Sequence, residues 1–430
     1  MQSFSFRTIL ASVLGSLGMS CAGAQNSASS SFFTDYTFSF FGTAGYSISD
    51  RPYAYTKIDQ NGTFDSVSRL GAQLDAQFTP RFGLTLQGEL SAANNKDNRY
   101  RPQLNWLSVT YRAKDNWLLR LGRMRLPALL YTQNSNVGLS YVQARLPQEV
   151  YGLSPTFDFN GVSSTYSWDF AEGMQSFSWD IYGGMSTTYQ RVWVRNPIAG
   201  GFKQGANHMP RRMNVVGTFV TWEDLMENNV VRAGVHYVSV KDRNNRGFMK
   251  IPYALKLPNG IEVYPPVGGN RTDKAKFLLW GILADFHLGK GFYLTGEWAN
   301  RLATNMTTGL DTSAFYVQLR KKIGDFTPYA YWAWSQSNNK ARQFYKKMNV
   351  STGIAQVDLF NSISADTLMM ANQNTFAIGS SYDIGQHHRL KMEYAHVRVG
   401  TASAFVDARP MDNVAQKGIN LLTASYNFLF

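Results

Sequence analysis

Apolar and polar residues alternate with a period of two along most of this chain. Over 70–78, leucine, alanine and phenylalanine occupy the even positions, and Gly71, Gln73, Asp75 and Gln77 occupy the odd ones. The stretch 82–91 repeats the pattern after only Pro80-Arg81. Successive side chains of a strand leave opposite faces, whereas a helix repeats about every 3.6 residues. The alternation therefore predicts strands that have one apolar face and one polar face.

Sixteen stretches of this kind are predicted. They are 34–49, 65–79, 82–93, 102–113, 117–124, 157–170, 175–186, 213–222, 228–240, 274–288, 292–303, 311–323, 326–337, 372–384, 388–399 and 417–430. Short connections of a few residues alternate in strict phase with connections that are mostly long. Tight turns at one rim and long loops at the other are typical of a transmembrane barrel. We predict an all-β fold, a transmembrane antiparallel β-barrel of 16 strands. A β-propeller is the rival architecture, but it would need loop lengths that repeat with the period of one blade, and the loop lengths here show no such period.

The first 24 residues have the features of a removable signal peptide. Arg7 precedes a short apolar stretch over 8–20, and the small residues Ala22-Gly23-Ala24 form a cleavage site. The stretch is too short to span a bilayer as a helix, although a buried N-terminal helix is an alternative. Cleavage would leave residues 25–430 as the barrel and would remove Cys21, the one cysteine. We therefore expect no disulfide, no thiolate metal site, and neither a metal nor a cofactor.

The final strand shows the two faces clearly. Leu422, Ala424, Tyr426, Phe428 and Phe430 form one row, and polar side chains lie between them. In a barrel the apolar row faces lipid and the polar row lines water. In a soluble sheet, which is the alternative, the apolar row would be a core.

Taken together, the signal peptide, the cysteine-free remainder, the sixteen strands and the ending Tyr426-Asn427-Phe428-Leu429-Phe430 resemble the sixteen-stranded porins of Gram-negative outer membranes. The resemblance implies a location in the cell outer membrane, a homotrimer, and passage of small hydrophilic solutes or ions. It also implies that Tyr426, Phe428 and Phe430 form the signal read by the barrel-assembly machinery. The stretches 118–123 and 146–151 resemble a segment of proteins related to phosphate-selective porins.

The connection after the fifth strand, 125–156, sits where porins fold a constriction loop into the barrel. Its stem and body carry several cations and tyrosines and a single acid. These candidate selectivity residues are Arg120, Arg123, Arg125, Tyr131, Tyr141, Arg145 and Glu149. Cations at a narrow, low-dielectric constriction favour anions. The alternative is that the arginines pair with the barrel wall and only anchor the loop.

Further charged residues share the polar parity of the strands and are predicted to face the lumen. They are Arg69, Glu89, Arg112, Arg232, Glu297, Arg301, Arg320, Arg389 and Lys391. On the lipid face a basic residue at the midplane would cost ~2–4 kcal/mol. Bases outnumber acids in this set, as they do in the whole chain of net charge +13. We therefore predict a weak anion preference.

Three other functions are alternatives to a channel. An enzyme is not expected, because the chain contains neither a His-x-Ser pair nor a Gly-x-Ser-x-Gly motif. Basic loop residues such as Arg191 and Arg195 suit the phosphates of outer-membrane lipopolysaccharide or plain solvent, and no nucleic acid is expected for an exported chain. A receptor or adhesin barrel without solute flux is not excluded by any sequence feature.

Overall fold

Sixteen antiparallel strands close into one barrel in the computed structural model, which describes residues 34–197, 201–265, 269–410 and 412–430. The barrel strands are β1 Asp35–Ser49, β2 Arg69–Thr79, β3 Phe82–Ala92, β4 Tyr100–Lys114, β5 Trp117–Arg125, β6 Asp158–Phe170, β7 Gln175–Val194, β8 Gly205–Asp224, β9 Asn229–Asp242, β10 Lys274–Gly289, β11 Phe292–Ala303, β12 Thr312–Lys321, β13 Phe326–Ser337, β14 Ala371–Ile384, β15 His388–Ser403 and β16 Gly418–Leu429. Each pairs with its neighbours in the sequence, and β1 closes the ring on β16. The predicted fold is confirmed. The predicted signal peptide lies outside the described residues.

The connections carry little regular structure. Short strand pairs join Ala54–Tyr55 to Val406–Asp407, Phe248–Met249 to Arg271–Thr272, and Leu255–Lys256 to Glu262–Val263. The α-helices are α1 Gln148–Tyr151, α2 Asn339–Met348 and α3 Ala355–Thr367, and 3₁₀ turns cover Gly138–Ser140 and Ala171–Gly173. Among the described residues, no helix is long and apolar enough to span a membrane.

Tight turns and long loops alternate around the ring as predicted. Turns such as 80–81 and 290–291 define the turn end of the barrel, and connections such as 243–273 and 338–370 define the loop end. One boundary prediction was wrong, because the β7–β8 ladder continues to the pair Val194 and Gly205 through the predicted loop 187–212. Strands β7 and β8 are each 20 residues long, whereas ~9–11 residues of a tilted strand cross a bilayer core. Their extended ends therefore need no apolar lipid-facing row, and the alternation that marks the other strands is absent there.

Strand β15 shows how the two faces of the wall differ. Leu390, Met392 and Tyr394 are between 42% and 56% exposed on the outer face. The intervening Lys391 and Glu393 are at most 4% exposed on the inner face. This distribution, with charged side chains inside and apolar side chains outside, is the reverse of the one found in soluble proteins. It is the arrangement that a lipid surround stabilises.

A row of three glycines shapes one part of the wall. Gly122, Gly161 and Gly184 lie side by side on β5, β6 and β7. A Cβ on Gly161 would lie 2.1 Å from the carbonyl oxygen of Gly183, and a Cβ on Gly122 would lie 2.2 Å from that of Leu107. Gly122 also has a φ of 133°, which other residues rarely adopt. The backbones approach too closely here for any larger residue.

We predict that Gly161→Ala lowers the free energy of unfolding by ~2–4 kcal/mol, because backbone atoms cannot move aside as a flexible side chain would. Gly296→Ala is the matched control, since its Cβ would meet only the Tyr316 carbonyl oxygen at 3.7 Å. The control should be neutral or slightly stabilising. Urea unfolding in lipid vesicles measures both, and equal stability of the two variants would contradict the assignment.

An ion-pair network crosses the loop end of the barrel. Arg191 on β7 contacts Asp407 at 2.5 Å and Asp97 at 2.9 Å, and Lys57 contacts Asp97 at 3.1 Å. Asp407 follows β15, which lies opposite β7 in the ring of sixteen strands. Beside it, Arg195 contacts Asp366 of α3 at 2.8 Å. Arg191 and Arg195, expected to face solvent or lipopolysaccharide, thus join loops from opposite walls. We call this network the mouth bridge.

The mouth bridge should weaken in acid. Burial alone would raise the pKa of Asp97, but the hydrogen bond and charge of Arg191, and the charge of Lys57, lower it to about 2. A depressed carboxyl pKa stabilises the fold above its ordinary value of 3.8, and this contribution is lost as the pH falls through the folded pKa. After allowance for solvent screening, we expect about 1–2 kcal/mol to be lost.

Hydrogen-exchange protection of the Val192 and Val194 amides, corrected for intrinsic rates, tests this prediction. Protection should fall between about pH 5 and about pH 2.5 in the native protein. In Asp97→Asn it should be low at both values. Protection that is independent of pH in the native protein would contradict the role given to Asp97.

Candidate functional site

The connection between β5 and β6, residues 126–157, runs inside the barrel and is called the strap here. It leaves the wall at β5 but contacts the opposite wall. Gln143 donates to Gln318 Oε1 on β12 at 2.5 Å, and Lys391 on β15 donates to the Gln143 carbonyl oxygen at 2.9 Å. The Ala144 N–H donates to the Tyr329 hydroxyl on β13 at 3.0 Å. The predicted loop therefore lies in the lumen, against the wall of β11–β16 and, through Ser135 and Asn136, against β2 and β3.

Apolar packing explains why the strap follows this course. Leu129, Val150 and Leu153 belong to one buried cluster with inward-facing residues of the wall, including Tyr316 and Val397. Burying this surface stabilises the strap by ~25 cal/mol per Å² of apolar area removed from water.

The strap also lies very close to the strands that close the ring. A Cβ on Gly138 would lie 1.9 Å from Asn427 Oδ1 and 2.6 Å from Thr43 Oγ1. Thr43 is on β1 and Asn427 is on β16. No water layer separates the strap from the wall at this point.

Two buried carboxylates anchor the strap. Glu297 on β11 accepts hydrogen bonds from the Leu130 N–H at 3.0 Å, the Tyr151 hydroxyl at 2.6 Å and the Tyr316 hydroxyl at 2.7 Å. Burial raises the pKa of Tyr151 well above its ordinary value, so the phenol keeps the proton that it donates. Glu149 of α1 accepts from Gln373 at 2.6 Å and Thr375 at 2.5 Å on β14.

Four of the charged residues predicted to line the lumen face inward but lie under the strap. Glu297, Arg320, Arg389 and Lys391 are 2–9% exposed. Arg320 contacts Asp285 at 2.8 Å, and Arg389 contacts Asp383 at 2.5 Å and donates to the Leu139 carbonyl oxygen. Parity predicted their face correctly, but it could not show that the strap would cover them. They do not line open water.

The predicted residues on or beside the strap are engaged in contacts within the barrel. Arg125 contacts Asp158 at 3.3 Å and donates to Asn136 at 3.0 Å, while Arg145 donates to Thr56 Oγ1 at 2.7 Å. Arg69 donates to the Ser135 carbonyl oxygen at 3.3 Å, and Glu89 accepts from Ser91 at 2.9 Å.

The two strap tyrosines of the predicted set lie together. The ring centroids of Tyr131 and Tyr141 are 5.7 Å apart, and burial raises the pKa of both phenols. The Lys391 ammonium lies 3.9 Å from the centroid of Tyr141. Both phenols are therefore neutral parts of the strap packing.

Arg123 is not in the lumen, contrary to the prediction. It pairs across the ladder with Leu107, which is exposed on the lipid face, and Leu121 two residues earlier is exposed there too. Paired residues of an antiparallel ladder share a face. The Arg123 side chain contacts Asp158 at 3.1 Å and donates to the Leu104 carbonyl oxygen. Arg120 and Arg123 are three positions apart, so strand parity places them on opposite faces.

The wall opposite the strap carries half-buried charges that face the remaining lumen. Arg120 donates to Thr165 Oγ1 at 3.3 Å, and Arg232 donates to Thr221 Oγ1 at 3.0 Å. Within the described part of the chain neither forms an ion pair, and Asp180 and Glu223 act on them at longer range. Arg112 lies near Arg120. Glu223 was missing from the predicted set, although the alternation of β8 would have revealed it.

The remaining predicted residues occupy two other places. Arg301 faces inward on β11 and donates to the carbonyl oxygens of Leu153 and Leu310. Tyr426, Phe428 and Phe430 follow the outer face at the turn end of β16, with Phe430 56% exposed. Their recognition by the assembly machinery stays a prediction. Across the described ranges, no cluster of three or more His, Cys, Asp or Glu side chains is suited to hold a metal ion.

Comparison with known proteins shows a likeness in fold. No family model matches the chain, and no curated protein matches it. Among solved structures, OprB of Pseudomonas putida has a TM-score of 0.53 and 11% identity over 92% of this chain and 94% of that one. OmpT, an outer membrane protein of Vibrio cholerae in its trimer form, has a TM-score of 0.51 and 10% identity over 92% and 99%. The outer-membrane expressed form of OmpT has a TM-score of 0.50 and 12% identity over 92% and 98%. This chain therefore has the closed barrel fold of outer-membrane proteins.

Proposed function

We propose that this protein is an outer-membrane porin that passes small hydrophilic solutes and ions by passive diffusion. The observation that carries the proposal is the wall of charged, half-buried side chains facing the strap across the lumen. Sixteen strands enclose more space than their own side chains fill, and the described hydrogen bonds of the strap to the wall include β2, β3, β12 and β15 but not Arg120 or Arg232. The passage then lies between the strap and the wall that carries Arg120 and Arg232.

Charge along this passage supports a weak anion preference. Arg120 and Arg232 have no ion-pair partner in the described part of the chain, so their field extends into the lumen. Asp180 and Glu223 lie close enough to weaken that field. Arg320, Arg389 and Lys391 are covered, and Arg123 is outside, so none of these four contributes directly. The preference rests on fewer residues than the sequence predicted.

The surroundings of the channel follow from the same proposal. Removal of residues 1–24 would deliver the barrel to the outer membrane, where lipid and lipopolysaccharide contact its apolar face. Assembly as a homotrimer is supported by the trimeric form of OmpT, which shares the fold. Phosphate selectivity remains a prediction from the resemblance of 118–123 and 146–151 to phosphate-selective-type porins, and phosphate belongs in the panel of test anions.

A receptor or adhesin without solute flux is the second candidate. The mouth bridge favours it, because Arg191, Asp97 and Asp407 join opposite sides of the loop end. Conductance of the purified protein in a planar bilayer separates the two functions. Stepwise conductance is the result expected of the porin, and its absence would favour the receptor.

Removing the lumen charges should change ion selectivity. In a salt gradient, the reversal potential of the native channel should indicate anions. The double variant Arg120→Gln with Arg232→Gln should bring it close to zero or to cation preference, because the acids Asp180 and Glu223 then outnumber the remaining cation Arg112 among the described charges near these two positions.

Lys321→Gln is the matched control, since it removes a cation from the outer face of β12, two residues from the outward-facing Leu319. It should leave the reversal potential unchanged, and circular dichroism should show that all variants keep the barrel. An equal shift in the control and the double variant, or cation preference in the native protein, would contradict the assignment.

A further inference from the structure

Part of the inner wall is apolar, which a water-filled lumen does not require. At the loop end, the inward positions of three adjacent strands hold aliphatic, aromatic and thioether side chains. These are Met213 and Val215 on β8, Val238 and Val240 on β9, and Ala275, Phe277 and Leu279 on β10. Val216, the neighbour of Val215, is 53% exposed on the lipid face, so the wall is apolar on both sides here.

Segments from outside the wall complete an apolar cavity over this region. Leu126, Leu153 and Phe157 come from the strap, and Met306 and Leu310 come from the connection 304–311. The cavity volume is about 90 Å³. A single water needs ~10–15 Å³ of such volume, so the cavity holds roughly six heavy atoms, the size of one ring.

One cation borders this cavity without a carboxylate partner. Arg301 gives its Nε–H to the Leu310 carbonyl oxygen at 2.5 Å and an Nη1–H to that of Leu153. Within the described residues it forms no ion pair, and its guanidinium lies 6.0 Å from the Phe277 ring centroid. Asp311 acts on it only at longer range.

The other charged groups at the cavity are already neutralised. Arg211 pairs with Asp242. Asp158 pairs with Arg123 and Arg125. Arg301 is therefore the cation left to meet a ligand charge, and the described contacts assign no partner to its Nη2 group.

We propose that this cavity is a binding site for small aromatic carboxylates, with the ring among the apolar side chains and the carboxylate on Arg301. A guanidinium offers paired N–H groups that match the two oxygens of a carboxylate. The ring would lie beside Phe277 and the thioethers of Met213 and Met306, which make favourable contacts with aromatic faces and edges.

The site deepens the proposed function, since it names a class of solute that the channel would concentrate at its loop end. Binding and flux are separate measurements, however. A protein that bound such a solute without conducting ions would contradict the porin and leave this site intact.

Calorimetric titration of the full mature chain in detergent tests the site with three probes. Benzoate carries the ring and the charge, benzyl alcohol carries the ring alone, and acetate carries the charge alone. We expect saturable binding of benzoate, at least tenfold weaker binding of benzyl alcohol, and no saturable binding of acetate.

Two variants and one control test the residues. Arg301→Gln should weaken benzoate binding about tenfold or more and leave benzyl alcohol nearly unchanged, because it removes the charge-assisted hydrogen bonds. Val238→Phe should weaken both ring compounds by filling the cavity. Lys321→Gln changes a cation at the turn end of β12, two residues from the outward-facing Leu319, and should bind all three probes as the native protein does.

Several results would overturn the site. The first is benzoate binding as tight as in the native protein by either Arg301→Gln or Val238→Phe. The second is equal affinity of the native protein for benzoate and acetate. The third is no benzoate binding by the native protein. Circular dichroism and temperature-dependent gel mobility check that each variant is folded. If Arg301→Gln fails to fold, Val238→Phe and the comparison of probes still decide the question.

Discussion

Hydrocarbon offers no partner to a backbone N–H or carbonyl group, and the rest of this structure depends on that constraint. A β-sheet in lipid can pair all of its backbone groups only if its two edge strands pair with each other. In this chain β1 pairs with β16 and closes the barrel. Closure fixes the side-chain pattern, because one face of every strand must then be apolar and the other is free to be polar. The exposed Leu390 and Met392 beside the buried Arg389 and Lys391 follow directly from it.

Charges that closure places inside still need partners, and the strap supplies many of them. Its carbonyl oxygens accept from Lys391 and Arg389, and its N–H and hydroxyl groups donate to Glu297. An apolar cluster around Val150 holds the strap on that side. The interior is therefore divided into a packed half and a half whose charges face the lumen. Channel chemistry is proposed for the second half, and the apolar cavity lies at its loop end.

Alternation and turn phase were sufficient to predict the barrel, its strand number and the inward face of residues such as Arg120, Arg232 and Glu297. They failed where local pattern carries no information. The β7–β8 extension leaves the lipid and loses its alternation. The covering of Arg320 and Lys391 depends on contacts between the strap and strands far away in sequence. Arg123 was predicted to lie in the lumen because the stem and the body of the constriction loop were assigned to the lumen together. Strand parity along β5 already predicts that Arg123 lies on the outer face. The cavity at Arg301 depends on the meeting of strands β8 to β11, the strap and the connection 304–311, which no single stretch of sequence reveals.

The separation of a wet interior from a lipid-facing exterior can be measured at two adjacent residues of β6. Ser163 faces the lumen and pairs with Arg120, whereas Val162 is 55% exposed on the outer face. The one native cysteine, Cys21, lies in the predicted signal peptide, so single cysteines can be placed in the mature chain without background. In lipid vesicles, Ser163→Cys should react with a charged, water-soluble thiol reagent, and Val162→Cys should react only with a lipid-soluble one. Equal reaction of both variants with the charged reagent, or the reverse order, would contradict a polar lumen enclosed by a lipid-facing wall.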